Sequence, residues 1–242
     1  MVVAPFPTRV AQRGVPLLQA ENLSQVIRAP ERSAPRTVLA SIALAVAAGE
    51  QVAIVGPRGA GKTALARALT LIENPSGGRL LFDGRDITRA RGGRLRALRR
   101  SLQYVGGDAR RSLSPRLNMA QVLAEPLQVH GLGSPAERQA LVLAAAAAWG
   151  LNPLLLTLRA HALSAALCQR VALARSSLLQ PRLLMVDELA ERLEPAAARP
   201  LLAHLSVLCR AAGRAWVWTT TDAALAREFA DRVVHLEAGR LV

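Results

Sequence analysis

Gly56-Pro57-Arg58-Gly59-Ala60-Gly61-Lys62-Thr63 follows directly on the run Gln51-Val52-Ala53-Ile54-Val55. A short, mostly apolar run ending at a glycine predicts a buried strand, and Ala64 to Leu71 behind the loop predicts a helix. G-x-x-x-x-G-K-T between a strand and a helix is the pattern of a phosphate-binding loop. Its glycines let backbone N–H groups wrap a phosphate chain, and the helix N-terminus adds its positive dipole. Lys62 is expected to bridge the β- and γ-phosphates of ATP, and the Thr63 hydroxyl to hold Mg²⁺. Gly56, Pro57, Arg58, Gly59, Ala60, Gly61, Lys62 and Thr63 are thus the candidate nucleotide contacts. The competing reading is a glycine-rich turn without a ligand.

Composition sharpens the role of Lys62. The net charge is +14, yet Lys62 is the only lysine in the chain and every other positive side chain is arginine. A compact ammonium fits between two phosphates where a planar guanidinium does not. A basic balance by itself suits nucleic acid, acidic lipid, or a bias of composition. The one local cluster, Arg89 to Arg100, predicts a solvated basic helix face. With 242 residues and 51% hydrophobic content, the chain can bury a substantial core, built from Ala, Leu and Val. Cys168 and Cys209 lack metal-ligand spacing and are expected as small core hydrophobes in a reducing compartment. Met1 to Gly14 carries Arg9 and Arg13 but no continuous apolar stretch, so no secretory signal is expected. The longest apolar run, Leu141 to Leu151, is too short to span a bilayer.

Outward from the loop, residues 16–28 and 37–47 predict strands joined by a loop rich in Pro, Arg and Ser. Asn74 to Gly78 is a turn cluster, Leu80 to Phe82 a brief strand, and Asp83-Gly84 a tight turn. From about 117 to 162 the pattern becomes helical. Ser134-Pro135-Ala136-Glu137 predicts a capping box, with the helix stopping at Gly150. A helix over 167–179 precedes the strand Leu183 to Val186. Then follow a helix over 195–212, the strand Ala215 to Thr219, a helix from Asp222 and the strand Val233 to Leu236. Strands alternating with helices predict an α/β fold with a largely parallel sheet.

The strand Leu183-Leu184-Met185-Val186 ends in Asp187-Glu188. A carboxylate at the end of a buried strand is costly unless it faces a cation. Asp187 is expected near Mg²⁺, and Glu188 as the catalytic group that polarises the attacking water. That pattern is weak alone and strong beside the phosphate loop.

The order of these parts resembles the ABC transporter ATPase family over nearly the whole chain, and within it the ATPase subunits of bacterial peptide and nickel importers. The resemblance rests on Ser112-Leu113-Ser114-Pro115-Arg116, on Glu125-Pro126-Leu127 and on Gln169 to Arg175, besides the two elements above. It implies one nucleotide-binding domain over 1–242, a P-loop NTPase core with an antiparallel β subdomain. The core would cover about 15–115 and 180–242, with an inserted helical subdomain over about 116–179. It also implies a two-chain machine on the cytoplasmic face of the inner membrane, driving two transmembrane permease subunits. Each ATP would lie between one chain's phosphate loop and the other's signature.

Several family positions differ. The Q-loop glutamine is matched by Gly107 and the switch histidine by Thr221. The Leu-Ser-Gly-Gly-Gln signature is Leu163-Ser164-Ala165-Ala166-Leu167, so Ser164 alone remains to contact a partner's ATP. The Ser-Ala-Leu-Asp loop is Glu191-Arg192-Leu193-Glu194, and the adenine-stacking aromatic is matched by Val26 or Ile27. ATP binding with weak or partner-dependent hydrolysis is therefore expected, and a different sister ATPase suits better than a second copy. The alternative is a regulatory or scaffolding relative that binds ATP without turnover. A nucleic-acid ATPase is a third reading, disfavoured because no zinc module and no basic–aromatic interleaving is present. Asp108 is expected to cap its loop, the four histidines to be ordinary positions, and Trp216 and Trp218 to be core or sheet surface.

Overall fold

The computed structural model describes residues 14–27 and 35–242. The expectations for Met1 to Arg13, and for most of the loop between the first two strands, lie outside the described residues. In chain order the strands are β1 (Leu18–Ile27), β2 (Arg36–Val46), β3 (Gln51–Val55), β4 (Gly77–Phe82), β5 (Arg85–Asp86), β6 (Leu102–Val105), β7 (Leu183–Val186), β8 (Ala215–Thr220), β9 (Arg232–Glu237) and β10 (Arg240–Leu241). The helices are α1 (Lys62–Leu69), α2 (Gly92–Ser101), α3 (Ala109–Ser112), α4 (Met119–Val129), α5 (Pro135–Ala148), α6 (Ala165–Ser177), α7 (Pro195–Ala211) and α8 (Ala223–Phe229).

Two sheets form. One has the order β10-β9-β3-β8-β7-β6 and is parallel except where β10 folds back on β9. The other is antiparallel with the order β2-β1-β4-β5. β3, β7 and β8 are buried at every residue, because helices or the second sheet cover both faces.

The strand period of two sends alternate residues to different cores. Ala53, Val55, Leu184, Val186, Trp216 and Trp218 join the helices α3–α8. Val52, Ile54, Leu183, Met185, Ala215 and Val217 pack instead with α1 and the antiparallel sheet. Trp216 and Trp218 stack with centroids 5.3 Å apart, both in the helical core. Both cysteines are buried and unbridged. α2 buries none of its residues, as a solvated basic helix should.

Ser134 and Glu137 form the expected capping box on α5. Asn118 and Gln121 form a second one on α4. Two of the boundaries that shift bear on the site. α1 begins at Lys62, inside the loop, rather than at Ala64. α6 starts at Ala165, because Ser164 caps it by accepting a hydrogen bond from the Leu167 N–H. The strand β6 was not expected, since Leu102-Gln103-Tyr104-Val105 has only two buried apolar positions. It completes the edge of the parallel sheet and aims the chain at the site.

Candidate functional site

The C-terminal ends of β3, β6, β7 and β8 lie side by side, so the loops that follow them meet at one edge of the sheet. That is where open parallel sheets place their ligands. The loop after β3 is held from several sides. Gly56 N–H donates to Thr220 O at 3.2 Å, and Ala60 O accepts from Gly239 N–H at 3.0 Å. Gly61, at φ +105, is the N-cap of α1. No side chain caps that helix and no acidic residue lies in its first turn, so its leading N–H groups are left to an outside acceptor.

Lys62 is 3% exposed. Its Nζ donates to Gly56 O at 2.8 Å and Pro57 O at 3.0 Å, and lies 3.6 Å from Glu188 Oε1. The loop thus closes on its own lysine while a carboxylate from the end of β7, one strand beyond β8, faces the same ammonium. Glu188 holds a left-handed backbone, φ +49, that is uncommon outside glycine. Its N–H is fixed by Thr219 Oγ1 at 2.9 Å.

Asp187 is 4% exposed. Thr219 Oγ1 donates to its Oδ1 at 2.6 Å and Tyr104 Oη donates to its Oδ2 at 3.0 Å. Burial, then the Asp187 carboxylate, push the Tyr104 phenol up to about 12, so it stays a protonated donor.

Thr63, Asp187 and Glu188 line one cleft of about 560 Å³ together with Arg67, Tyr104, Gly107, Arg175 and Arg192, among others. Arg175 Nη1 donates to Ser112 O at 3.0 Å, and burial lowers the pKa of its guanidinium. The described residues contain no cluster of three or more His, Cys, Asp or Glu side chains fit to hold a metal alone. A hydroxyl and one buried carboxylate in a shared cleft suit Mg²⁺, which keeps waters and takes its remaining ligands from phosphate.

Gly107 marks the tightest approach in the cleft. A Cβ there would lie 3.0 Å from both Asp187 O and Glu188 O, and 3.2 Å from Arg192 Cγ. Arg192, exposed, crosses the position a side chain at 107 would need. At the position of the switch histidine, the Thr221 N–H donates to Glu191 Oε1. Ser164, Arg58 and Gly59 stay exposed, and Ser164 is not among the residues lining the cleft. Ile27, at the end of β1, is also exposed. Asp108 caps α3 by accepting from the Arg111 N–H.

Sequence reasoning passed over Tyr104 and Thr219, which hold Asp187, and Arg192, which fills the space beside Gly107. For Tyr104 a signal was present, since it is the chain's one tyrosine, as Lys62 is its one lysine. Thr219 sits in a run of three threonines that hides which one faces the carboxylate.

Known proteins resemble this chain in sequence and in fold. The sequence profile of the ABC transporter family matches residues 39–191. A putative peptide import ATP-binding protein of Brucella ovis is 31% identical over 94% of this chain and 71% of its own length. The nickel import ATP-binding protein NikE of Pseudomonas putida is 34% identical over 85% of this chain and 75% of its own length. The di/tripeptide transport ATP-binding protein DppF of Pseudomonas aeruginosa is 35% identical over 84% and 62%. Among solved structures, the dimeric ATP-binding cassette MJ0796 bound to ADP and Pi superposes with a TM-score of 0.84 at 24% identity, covering 93% of this chain and 96% of that one. CbiO1 of Clostridium perfringens, part of the ABC transporter complex cbiONQ, superposes with a TM-score of 0.81 at 26% identity, over 94% and 87%. With a G-x-x-x-x-G-K-T loop beside the Asp187-Glu188 strand end, the profile match over residues 39–191 and these relatives, the chain belongs to the ABC transporter family.

Proposed function

We propose that this chain is the ATP-binding subunit of an importer of the peptide or nickel class. The observation that carries the reading is Lys62 Nζ, 3.6 Å from Glu188 Oε1 in the cleft edge where Thr63 and Asp187 also lie. On binding, phosphate oxygens replace the Gly56 and Pro57 carbonyls as acceptors for Lys62. Backbone N–H groups of the loop and of the α1 terminus hold the phosphate chain. Thr63 and Asp187 would hold Mg²⁺, which would supply positive charge to offset that of the phosphates. Glu188 accepts a hydrogen bond from the attacking water.

Turnover in this chain is slow on this reading. A preorganised transition-state contact is worth about 3 kcal/mol, and positions 107 and 221 supply no side chain of the family type. The packing around Gly107 favours a second reading, a subunit that binds ATP without splitting it. Its partners are a more complete ATPase and two permease subunits, which hold it at the cytoplasmic face of the inner membrane. A different sister ATPase follows from Ala165, Ala166 and Leu167, since a homodimer would lay that altered signature over both nucleotides. No described helix is long and apolar enough to cross a membrane.

The test is ATP affinity with Mg²⁺, followed by phosphate release from a mixture with the candidate sister subunit. Absence of binding at millimolar ATP sinks both readings. Loss of activity on Glu188→Gln assigns hydrolysis to this chain, whereas activity that survives the change supports the non-catalytic reading.

Gly107→Gln is expected to leave turnover unrestored. Its Cβ enters the 3.0 Å gaps to two backbone carbonyls and pushes on Arg192, at a cost of about 1–3 kcal/mol. A lower melting temperature with unchanged phosphate release is the expected result. A rise in turnover would show that the gap opens readily.

A further inference from the structure

The chain's one tyrosine sits on the candidate metal carboxylate. Tyr104 lies in β6, paired in register with Met185 of β7, two residues before Asp187. Its Oη donates to Asp187 Oδ2 at 3.0 Å while Thr219 Oγ1 donates to Oδ1 at 2.6 Å. Each carboxylate oxygen therefore already accepts from a hydroxyl. Arg67, which lines the same cleft, interacts with the phenol and pairs with Glu73 at 2.8 Å. A continuous line thus runs from Glu73 through Arg67, Tyr104, Asp187 and Thr219 to the Glu188 N–H.

Resting on the reading of this site as one for Mg²⁺ and ATP, we propose that Tyr104 is a positioning residue that weakens divalent-cation binding by occupying Asp187 Oδ2. A carboxylate whose charge is already satisfied by two donors is a poorer partner for a cation or its coordinated water. A metal that approaches Oδ2 along the lone pair the phenol occupies must displace the phenol. The phenol, half-buried in the cleft wall, then loses its acceptor, which adds to the cost. Tyr104 thereby makes nucleotide affinity less dependent on metal than the Thr63–Asp187 pair alone would. Thr219 differs, because it also orients the Glu188 N–H and so belongs to the strand-end scaffold.

The experiment compares the full chain with Tyr104→Phe, which keeps the ring and removes the hydroxyl. Mn²⁺ binding is followed by its EPR signal in the presence of a non-hydrolysable ATP analogue, and analogue affinity is measured separately in EDTA. Tyr104→Phe is expected to bind Mn²⁺ about three- to tenfold more tightly, with affinity in EDTA unchanged. Tyr104→Leu, also without the hydroxyl, must shift Mn²⁺ binding the same way, which covers a folding defect in either variant. Mn²⁺ affinity that is unchanged or weaker in both variants, with intact binding in EDTA, overturns the inference alone. A wild-type chain that binds no analogue with or without metal overturns the site reading and this inference with it.

Discussion

Lys62→Met is expected to lower ATP affinity by about a hundredfold or more, measured by titration with a fluorescent analogue. The ammonium is buried to 3% exposure and its three contacts are two loop carbonyls and a carboxylate. Such a cation is held close to where phosphate oxygens arrive, so most of its charge-assisted hydrogen bonding is available to the ligand. Methionine retains the stem and the burial but offers no donor. The Gly56 and Pro57 carbonyls lose a partner in the same step, which costs about 1–3 kcal/mol of folding free energy unless water replaces it. A melting curve measured beside the titration separates the two effects. Lys62→Arg is expected to fail as well, weakening binding by at least about tenfold, because the planar fork cannot enter the space the ammonium occupies. Near-native binding by the arginine variant would mean that the lone lysine of this chain has no special fit.

Gly56→Ala is expected to unfold the loop's support rather than merely stiffen it. A Cβ at 56 would lie 2.2 Å from Leu236 O and 3.3 Å from Ala60 Cβ. Leu236 belongs to β9, which is bound in register to β3, so neither strand can retreat without losing its ladder. The cost is of order 3 kcal/mol or more, or a fall of about 6–12 °C in melting temperature for a chain this size. Gly59→Ala is the matched control. It has φ +81 but no atom within 4 Å of its Cβ, so only the left-handed backbone is penalised, by about 1–2 kcal/mol. Equal melting temperatures for the two variants would contradict the packing account.

The fold was legible wherever local pattern and punctuation agree. The phosphate loop between a buried strand and a helix, the capping box at Ser134 and Glu137, and the apolar strand ending in Asp187 all carry their own short-range cause. β6 was not legible, because an edge strand with half-exposed Gln103 and Tyr104 owes its pairing to β7, some eighty residues away in the chain.

The candidate site divides the same way. Which residues can meet a phosphate is a matter of residue type and spacing, since a glycine pattern and a lysine at a helix start act within a few residues. The sequence alone therefore determined the G-x-x-x-x-G-K-T pattern, the Asp187-Glu188 pair and the family resemblance. What surrounds them was decided only by the tertiary structure. Tyr104 and Thr219 reach Asp187 from two neighbouring strands, and Arg192 closes over Gly107 from the loop after β7. Gly239 ties down Ala60 from the far end of the chain. These are contacts between residues distant in sequence, set by sheet order and register, and no local pattern encodes them.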